Sequence, residues 1–217
     1  MAPLQFLCGS GSPYAWRVWL ALEHKALAYT LSMQSFSAGD LKRPEFLALN
    51  PRGRVPAIVD GGFVLYESAA IVEYLEDAYP DSGARLFPAQ VQARATARRL
   101  VREADQYLAH AMEQLVEQIL FQPPAQWVAA TIRQARDAFV QELAHFEREL
   151  RGEFFAGAAG AVDFTVYPMI ALALRMELKK PDLAVRAALG PGLRAWLGRV
   201  EGLPYFAATY PPHWKQG

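Results

Sequence analysis

The sequence has one cysteine, Cys8, and only four histidines, His24, His110, His145 and His213, in 217 residues. A single cysteine excludes an intramolecular disulfide and fits a reducing compartment. The histidines share no metal-ligand spacing and no second cysteine joins them, so no metal is expected. Neither sign of charge is in excess. The 22 basic and 22 acidic residues cancel, which leaves no overall footprint for binding nucleic acid or an anionic membrane. The opening stretch MAPLQFLCGS lacks both a basic n-region and a long apolar run; it is not read as a signal peptide, and the cytoplasm is the expected compartment. Long hydrophobic runs are scarce as well. From Phe154 to Leu174 the only charge is Asp163, but a charge at mid-span costs about 2.5 to 3.5 kcal/mol and the first half is rich in Gly and Ala. A loop running into a buried helix near Asp163 is expected instead, with the carboxylate at the positive end of the helix dipole.

What is present is 53% hydrophobic residues, enough for a sizeable core in one large domain or two small ones. The first eighty residues alternate in type. Pro3 to Cys8 reads as a buried strand, and a helix begins near Pro13 with Ala15, Val18, Trp19 and Leu22 on one face. Leu27 to Met33 reads as a second strand. Leu41 to Leu49 reads as a short helix that stops at Asn50-Pro51. Val55 to Asp60 and Phe63 to Leu65 form an expected hairpin through Asp60-Gly61-Gly62, and Glu67 to Tyr79 a helix stopped by Pro80. Beyond Asp81-Ser82-Gly83 the patterns are helical only: about Ala89 to Gln122, Ala125 to Arg151, Asp163 to Lys179 and Pro191 to Glu201. The expected organisation is a small α/β domain over residues 1–80 with the order βαβ-α-ββα, a linker over 81–88, and an all-helical domain over 89–217.

Three stretches carry candidate chemistry. In GSGSPYAWRV, Gly9-x-Gly11 follows a strand and precedes a helix. A dinucleotide fingerprint would place Gly or Ala where Tyr14 stands and an acid after the second strand, so that reading fails. Ser12-Pro13 is a good helix start in its own right, with Ser at N-cap and Pro at the first helical position. In NPRGRVPAIVDGG, Pro56 opens an extended run, which a structural proline also does. In YESAAIVEYL, Glu67 and Ser68 open a helix. They serve as a cap with an acid in the first turn, or as an anion site where free amides and a hydroxyl receive a carboxylate while Glu67 receives an ammonium. The second alternative suits the substituents on an amino acid's α-carbon.

S-P-Y-A-W-R-V, then P-E-F-L-A-L-N-P-R-G-R-V-P-A-I-V-D-G, then L-Y-E-S-A-A-I-V-E-Y-L, in that order and followed by a helical half, resemble the cytosolic glutathione S-transferases. The resemblance implies a thioredoxin-like N-terminal domain that binds glutathione and a helical C-terminal domain that shapes an electrophile pocket. It implies a cis Pro56 that turns the Val55 backbone toward the cysteinyl unit. It also implies that Glu67 and Ser68 hold the γ-glutamyl end, that Arg54 stands in the Lys/Gln position before Val-Pro, and that Lys42 reaches the glycyl carboxylate. In the serine-type classes (theta, phi and zeta) the residue at the place of Ser12 donates a hydrogen bond to the glutathione sulfur. Tyr14 and Ser10 are the alternatives, while Cys8, inside the first strand, reads as a small buried hydrophobe.

Leu41 stands where phi-like members have a histidine, and Gly160 where the helix at Asp163 has a capping Ser or Thr. Tyr14, Tyr107, Met112 and Leu115 are candidates for the electrophile pocket, though such residues at helical spacing also make plain core. The C-terminal YPPHWKQG either folds back over the site or forms a loose tail. Conjugation of glutathione to a small hydrophobic electrophile is the expected activity. Glutathione-dependent cis-trans isomerisation, as in zeta-like proteins, and a non-catalytic interaction module on the same fold are the alternatives. A homodimer is what the resemblance implies, and no nucleic acid, membrane or metal partner is expected from the charge balance and the histidine and cysteine usage.

Overall fold

A computed structural model describes residues 3–215. The chain forms two compact units, residues up to Phe87 together with those from Leu203 onward, and Pro88–Gly202. In the first unit β1 (Leu4–Gly9), α1 (Pro13–His24), β2 (Tyr29–Gln34), α2 (Pro44–Leu49), β3 (Ala57–Asp60), β4 (Phe63–Tyr66) and α3 (Ser68–Ala78) follow in order. The sheet order is β2-β1-β3-β4, with β1 and β2 parallel and the other pairs antiparallel. This is the thioredoxin-like arrangement expected from the sequence. The helix expected over Leu41 to Leu49 is a 3-10 turn, Asp40–Lys42, followed by α2. Pro44 has no N–H to give to a preceding turn, so it starts a helix rather than continuing one.

Helix α1 departs from the single apolar face expected of it. Trp16, Leu20 and Ala21 are as buried as Ala15, Val18, Trp19 and Leu22, and an all-round apolar helix must be covered on more than one side. The second cover is the end of the chain. Trp16 Nε1 donates to Thr209 Oγ1 at 2.9 Å. Its ring meets those of Phe206, Tyr210 and Trp214 at centroid distances of 5.9, 5.8 and 5.4 Å. Residues Phe206–Thr209 form a short helix, α10, and Pro212–Trp214 a 3-10 turn. The aromatic segment that the sequence reading left with the helical domain therefore belongs to the first unit. Of YPPHWKQG, Gln216 and Gly217 lie outside the described residues.

The segment read as a linker is pinned down. Lys25, fully buried at the end of α1, meets Glu76 of α3 at 3.3 Å. The same carboxylate accepts the Leu86 N–H at 2.8 Å and pairs with Arg85 at 3.2 Å. Gly83, at φ +54°, passes so close that a Cβ there would lie 2.5 Å from Lys25 Cα, so the crossing needs a glycine.

In the second unit α4 (Val91–Glu103) runs through a π turn, Ala104–Leu108, into α5 (Ala109–Ile119). Then come α6 (Ala129–Glu149), α7 (Ala161–Lys179), α8 (Val185–Ala188) and α9 (Pro191–Glu201). Helix α7 is the core helix, packed against α4, α5, α8 and α9. Its start matches the expectation of a buried helix at Asp163. Gly160, at the N-cap, has no hydroxyl, but Asp163 Oδ2 accepts the Gly160 N–H at 3.0 Å, which is half of a capping box. Asp163 Oδ1 accepts Trp196 Nε1–H at 2.8 Å and the Phe155 N–H at 3.2 Å. Leu108, Met112, Leu115 and Ile119 fall on one buried stripe of this unit.

Candidate active site

Strand register brings most of the expected site residues to one end of the sheet. Gly9 of β1 pairs with Gln34 of β2, Leu7 with Ala57, and Ala57 with Tyr66. The chain therefore leaves β1, β2 and β4 and enters β3 at the same end. Ser10, Ser12 and Tyr14 follow β1, Lys42 follows β2, Arg54, Val55 and Pro56 precede β3, and Glu67 and Ser68 follow β4.

After β1 the chain turns at once. Ser12 N–H donates to the Gly9 carbonyl at 3.1 Å, and Gly11, at φ +82°, sits where such a turn needs a glycine. Ser12 is the N-cap of α1, and its Oγ accepts the Ala15 N–H at 3.3 Å. The cap anticipated from Ser-Pro is thus present, and it uses only a lone pair. A hydroxyl also has one proton to donate. Ser10 Oγ is 2.6 Å from His213 Nδ1, so its hydroxyl is engaged with the end of the chain. The Tyr14 ring lies 5.9 Å from the guanidinium of Arg17, a cation buried in α1 at 1% exposure. Cys8 is 1% exposed, and burial pushes its thiol up to about 12. It behaves as the small hydrophobe expected and not as a nucleophile.

The loop before β3 is held by Asn50, a residue the sequence reading used only as a helix stop. Asn50 is 2% exposed; its Nδ2 donates to the Arg54 carbonyl at 2.6 Å and its Oδ1 accepts the Arg52 N–H at 3.0 Å. This fixes the backbone leading into Val55-Pro56, whose bond is cis, as the resemblance implied. Strand β3 starts at Ala57 rather than Val55, since Pro56 has no N–H for the ladder. The Arg54 and Lys42 side chains are exposed, and Arg43, next to Lys42, is tied to Asp40 at 2.9 Å.

At the entrance to α3, Glu67 holds φ +72° and ψ +105°, a strained backbone for a residue with a side chain, and such strain collects at functional sites. No side chain caps this helix. Its first amides thus receive no side-chain cap, in contrast to those of α1, which Ser12 caps. Ser68 is buried at 6% exposure beside exposed Glu67. The structure thus sets an acid and a hydroxyl side by side at the start of α3, with no side-chain cap.

The electrophile candidates divide. Tyr107, in the π turn, is 51% exposed, and Tyr14 is partly exposed. Met112 and Leu115 are 1% and 0% exposed, because they lie on the stripe that packs inside the helical unit. Both side chains belong to the core of that unit, the plain-core alternative for such spacing. Among the described residues no group of three or more His, Cys, Asp or Glu is placed to hold a metal ion, and no helix is long and apolar enough to cross a membrane.

Residues 11–78 match the model of the glutathione S-transferase N-terminal domain, and residues 125–199 that of the glutathione S-transferase C-terminal domain. Glutathione S-transferase A of Pleuronectes platessa is 31% identical, covering 98% of this chain and 93% of that protein. Glutathione S-transferase 3 of Zea mays is 32% identical, covering 96% of this chain and 94% of that protein. Among solved structures, a glutathione S-transferase from the Antarctic clam Laternula elliptica superposes with a TM-score of 0.81 at 29% identity, covering 100% of this chain and 95% of that one. Poplar glutathione transferase F1, at 24% identity and TM-score 0.83 over 96% of this chain and 97% of its own, bears on the fold alone. With both domains matched in order and relatives that span nearly its whole length, the chain belongs to the glutathione S-transferase family.

Proposed function

We propose that the protein conjugates glutathione to small hydrophobic electrophiles, and that Ser12 is the residue that holds the glutathione sulfur as thiolate. The observation that carries this reading is the Ser12 hydroxyl, which accepts a bond from the Ala15 N–H and keeps its own proton to donate, at the positive end of α1. A free thiol has a pKa near 8.5, so only a few per cent is ionised at neutral pH. A donor aimed at the charged form lowers that value, and each unit is worth about 1.36 kcal/mol. The bound thiolate then attacks an electrophile held beside it, with proximity lowering the barrier.

In this reading Glu67 receives the γ-glutamyl ammonium, while Ser68 and the first amides of α3 receive its carboxylate. The cysteinyl backbone pairs with Val55 ahead of Pro56, and the glycyl carboxylate goes to Lys42 and Arg54. Ser10, bonded to His213, and Tyr14, set against Arg17, rank behind Ser12 as sulfur donors. Tyr14 and Tyr107 are the proposed contacts for the electrophile. A cytoplasmic homodimer completes the proposal, and light scattering on the purified protein reads its mass.

Conjugation of glutathione to a chlorinated nitroarene tests the reading. A rate that saturates in glutathione, with kcat/KM falling roughly a hundredfold in Ser12→Ala, is the expected result for loss of one donor to a developing anion. A protein that neither binds glutathione nor turns over the arene overturns it.

A further inference from the structure

The end of the chain reaches the turn that carries Ser12. His213 Nδ1 lies 2.6 Å from Ser10 Oγ, across 203 residues of sequence. The His213 ring also roofs Gly11: a Cβ at Gly11 would come within 2.7 Å of His213 Cε1 and 3.2 Å of Trp214 Nε1. Trp214, 7% exposed, is anchored by its ring contacts to Trp16, at 5.4 Å, and Tyr210, at 6.1 Å. The His213 backbone is thus held from below by a buried aromatic cluster, while its imidazole points at the turn.

The turn has two fixed ends. Ser10 is its second residue and Ser12 its last, closed by the Ser12 N–H to the Gly9 carbonyl at 3.1 Å. Between them Gly11, at φ +82°, has no side chain to limit its backbone, so within the turn it is the Ser12 N–H bond to the Gly9 carbonyl that holds it, and further restraint comes from outside. A hydrogen-bond donor acts on a thiolate only if its orientation is set in advance. The His213 bond to Ser10 and the imidazole packed on Gly11 supply that restraint.

We propose that His213 is a positioning residue for Ser12: through Ser10 and Gly11, the C-terminal segment locks the turn and so aims the Ser12 hydroxyl at the glutathione sulfur. This rests on Ser12 being the sulfur donor. His213 itself need not touch the substrate.

The test uses the full-length protein and glutathione, following the ultraviolet thiolate band of the bound tripeptide against pH. Five variants are compared: His213→Ala, His213→Asn, Ser10→Ala, the double variant Ser10→Ala/His213→Ala, and Ser12→Ala. His213→Ala is expected to raise the apparent thiol pKa of bound glutathione by roughly half a unit to one unit. Near neutral pH kcat/KM then falls about three- to tenfold, with glutathione affinity unchanged. His213→Asn, whose amide can bond Ser10 from a similar reach, recovers most of the shift. Ser10→Ala reproduces the part of it that the hydrogen bond supplies, and the double variant shifts by less than the sum of the two single variants, as expected for residues that share an interaction. A thiol pKa that stays at the wild-type value in His213→Ala, while Ser12→Ala raises it, overturns the proposal and leaves His213 as packing, whatever the melting temperature does. A wild-type pKa in Ser12→Ala overturns the assignment of Ser12 itself, and with it the role of His213.

Discussion

Trp16 Nε1 donates to Thr209 Oγ1 at 2.9 Å, joining the first helix to a residue 193 positions later. Both side chains are buried, Trp16 at 2% and Thr209 at 0% exposure, and the Thr209 hydroxyl in turn donates to the Phe206 carbonyl at 2.9 Å. The bond fixes the aromatic segment that covers α1, and through it the position of Trp214 and His213.

Thr209→Val keeps the shape of the side chain and removes the acceptor. The Trp16 indole N–H is then left in an apolar setting, a loss of about 1 to 3 kcal/mol. For a chain of this length that is a fall in Tm of several degrees, read by calorimetry, with the activity loss no larger than that of His213→Ala.

Glu76→Gln removes the carboxylate from the fully buried Lys25 ammonium and weakens the hold on Leu86 and Arg85. An uncompensated buried charge costs about 3 to 5 kcal/mol. Urea unfolding should show a loss of this size, and it should shrink in Lys25→Met/Glu76→Gln, where the stranded cation is gone. A double variant as unstable as Glu76→Gln alone would contradict the account of this pair.

Much of the first unit was legible because its signals are local. The Ser-Pro start of α1, the stop at Asn50-Pro51 and the hairpin around Gly61-Gly62 each depend on neighbours a few residues apart. The start of α3 at Glu67-Ser68 was legible for the same reason. What escaped were contacts between distant stretches. No periodicity in YPPHWKQG announces that Trp214 stacks on Trp16 or that His213 meets Ser10. Asn50 looked like punctuation because the Arg54 carbonyl it holds is an acceptor that every residue has. Met112 and Leu115 were legible as apolar and helical, but their burial depended on which face α6 and α7 cover.

Asp163 gives a pH signature. Burial is the largest influence on its carboxyl and, against the donors from Trp196, Phe155 and Gly160, pushes it up from 3.8 to about 6. The folded chain therefore binds this proton more tightly than the unfolded one. The stabilisation is complete below about pH 4 and is lost as pH rises through about 6, with a total on the order of 3 kcal/mol. Asp163→Asn cannot titrate. The unfolding free energy of the wild type relative to this variant should decline by roughly that amount between pH 4 and 7. A constant difference over that interval would show that the carboxyl is not raised.

The most direct measurement is the ultraviolet thiolate band on titration with glutathione at neutral pH, compared between wild type, Ser12→Ala and Tyr14→Phe, with binding followed separately by calorimetry. Tyr14→Phe removes the phenol while keeping the ring that lies against Arg17. The account predicts a saturable band in the wild type and in Tyr14→Phe, and none in Ser12→Ala although glutathione still binds. An undiminished band in Ser12→Ala, or its loss in Tyr14→Phe, would contradict it and return Ser12 to the cap of α1.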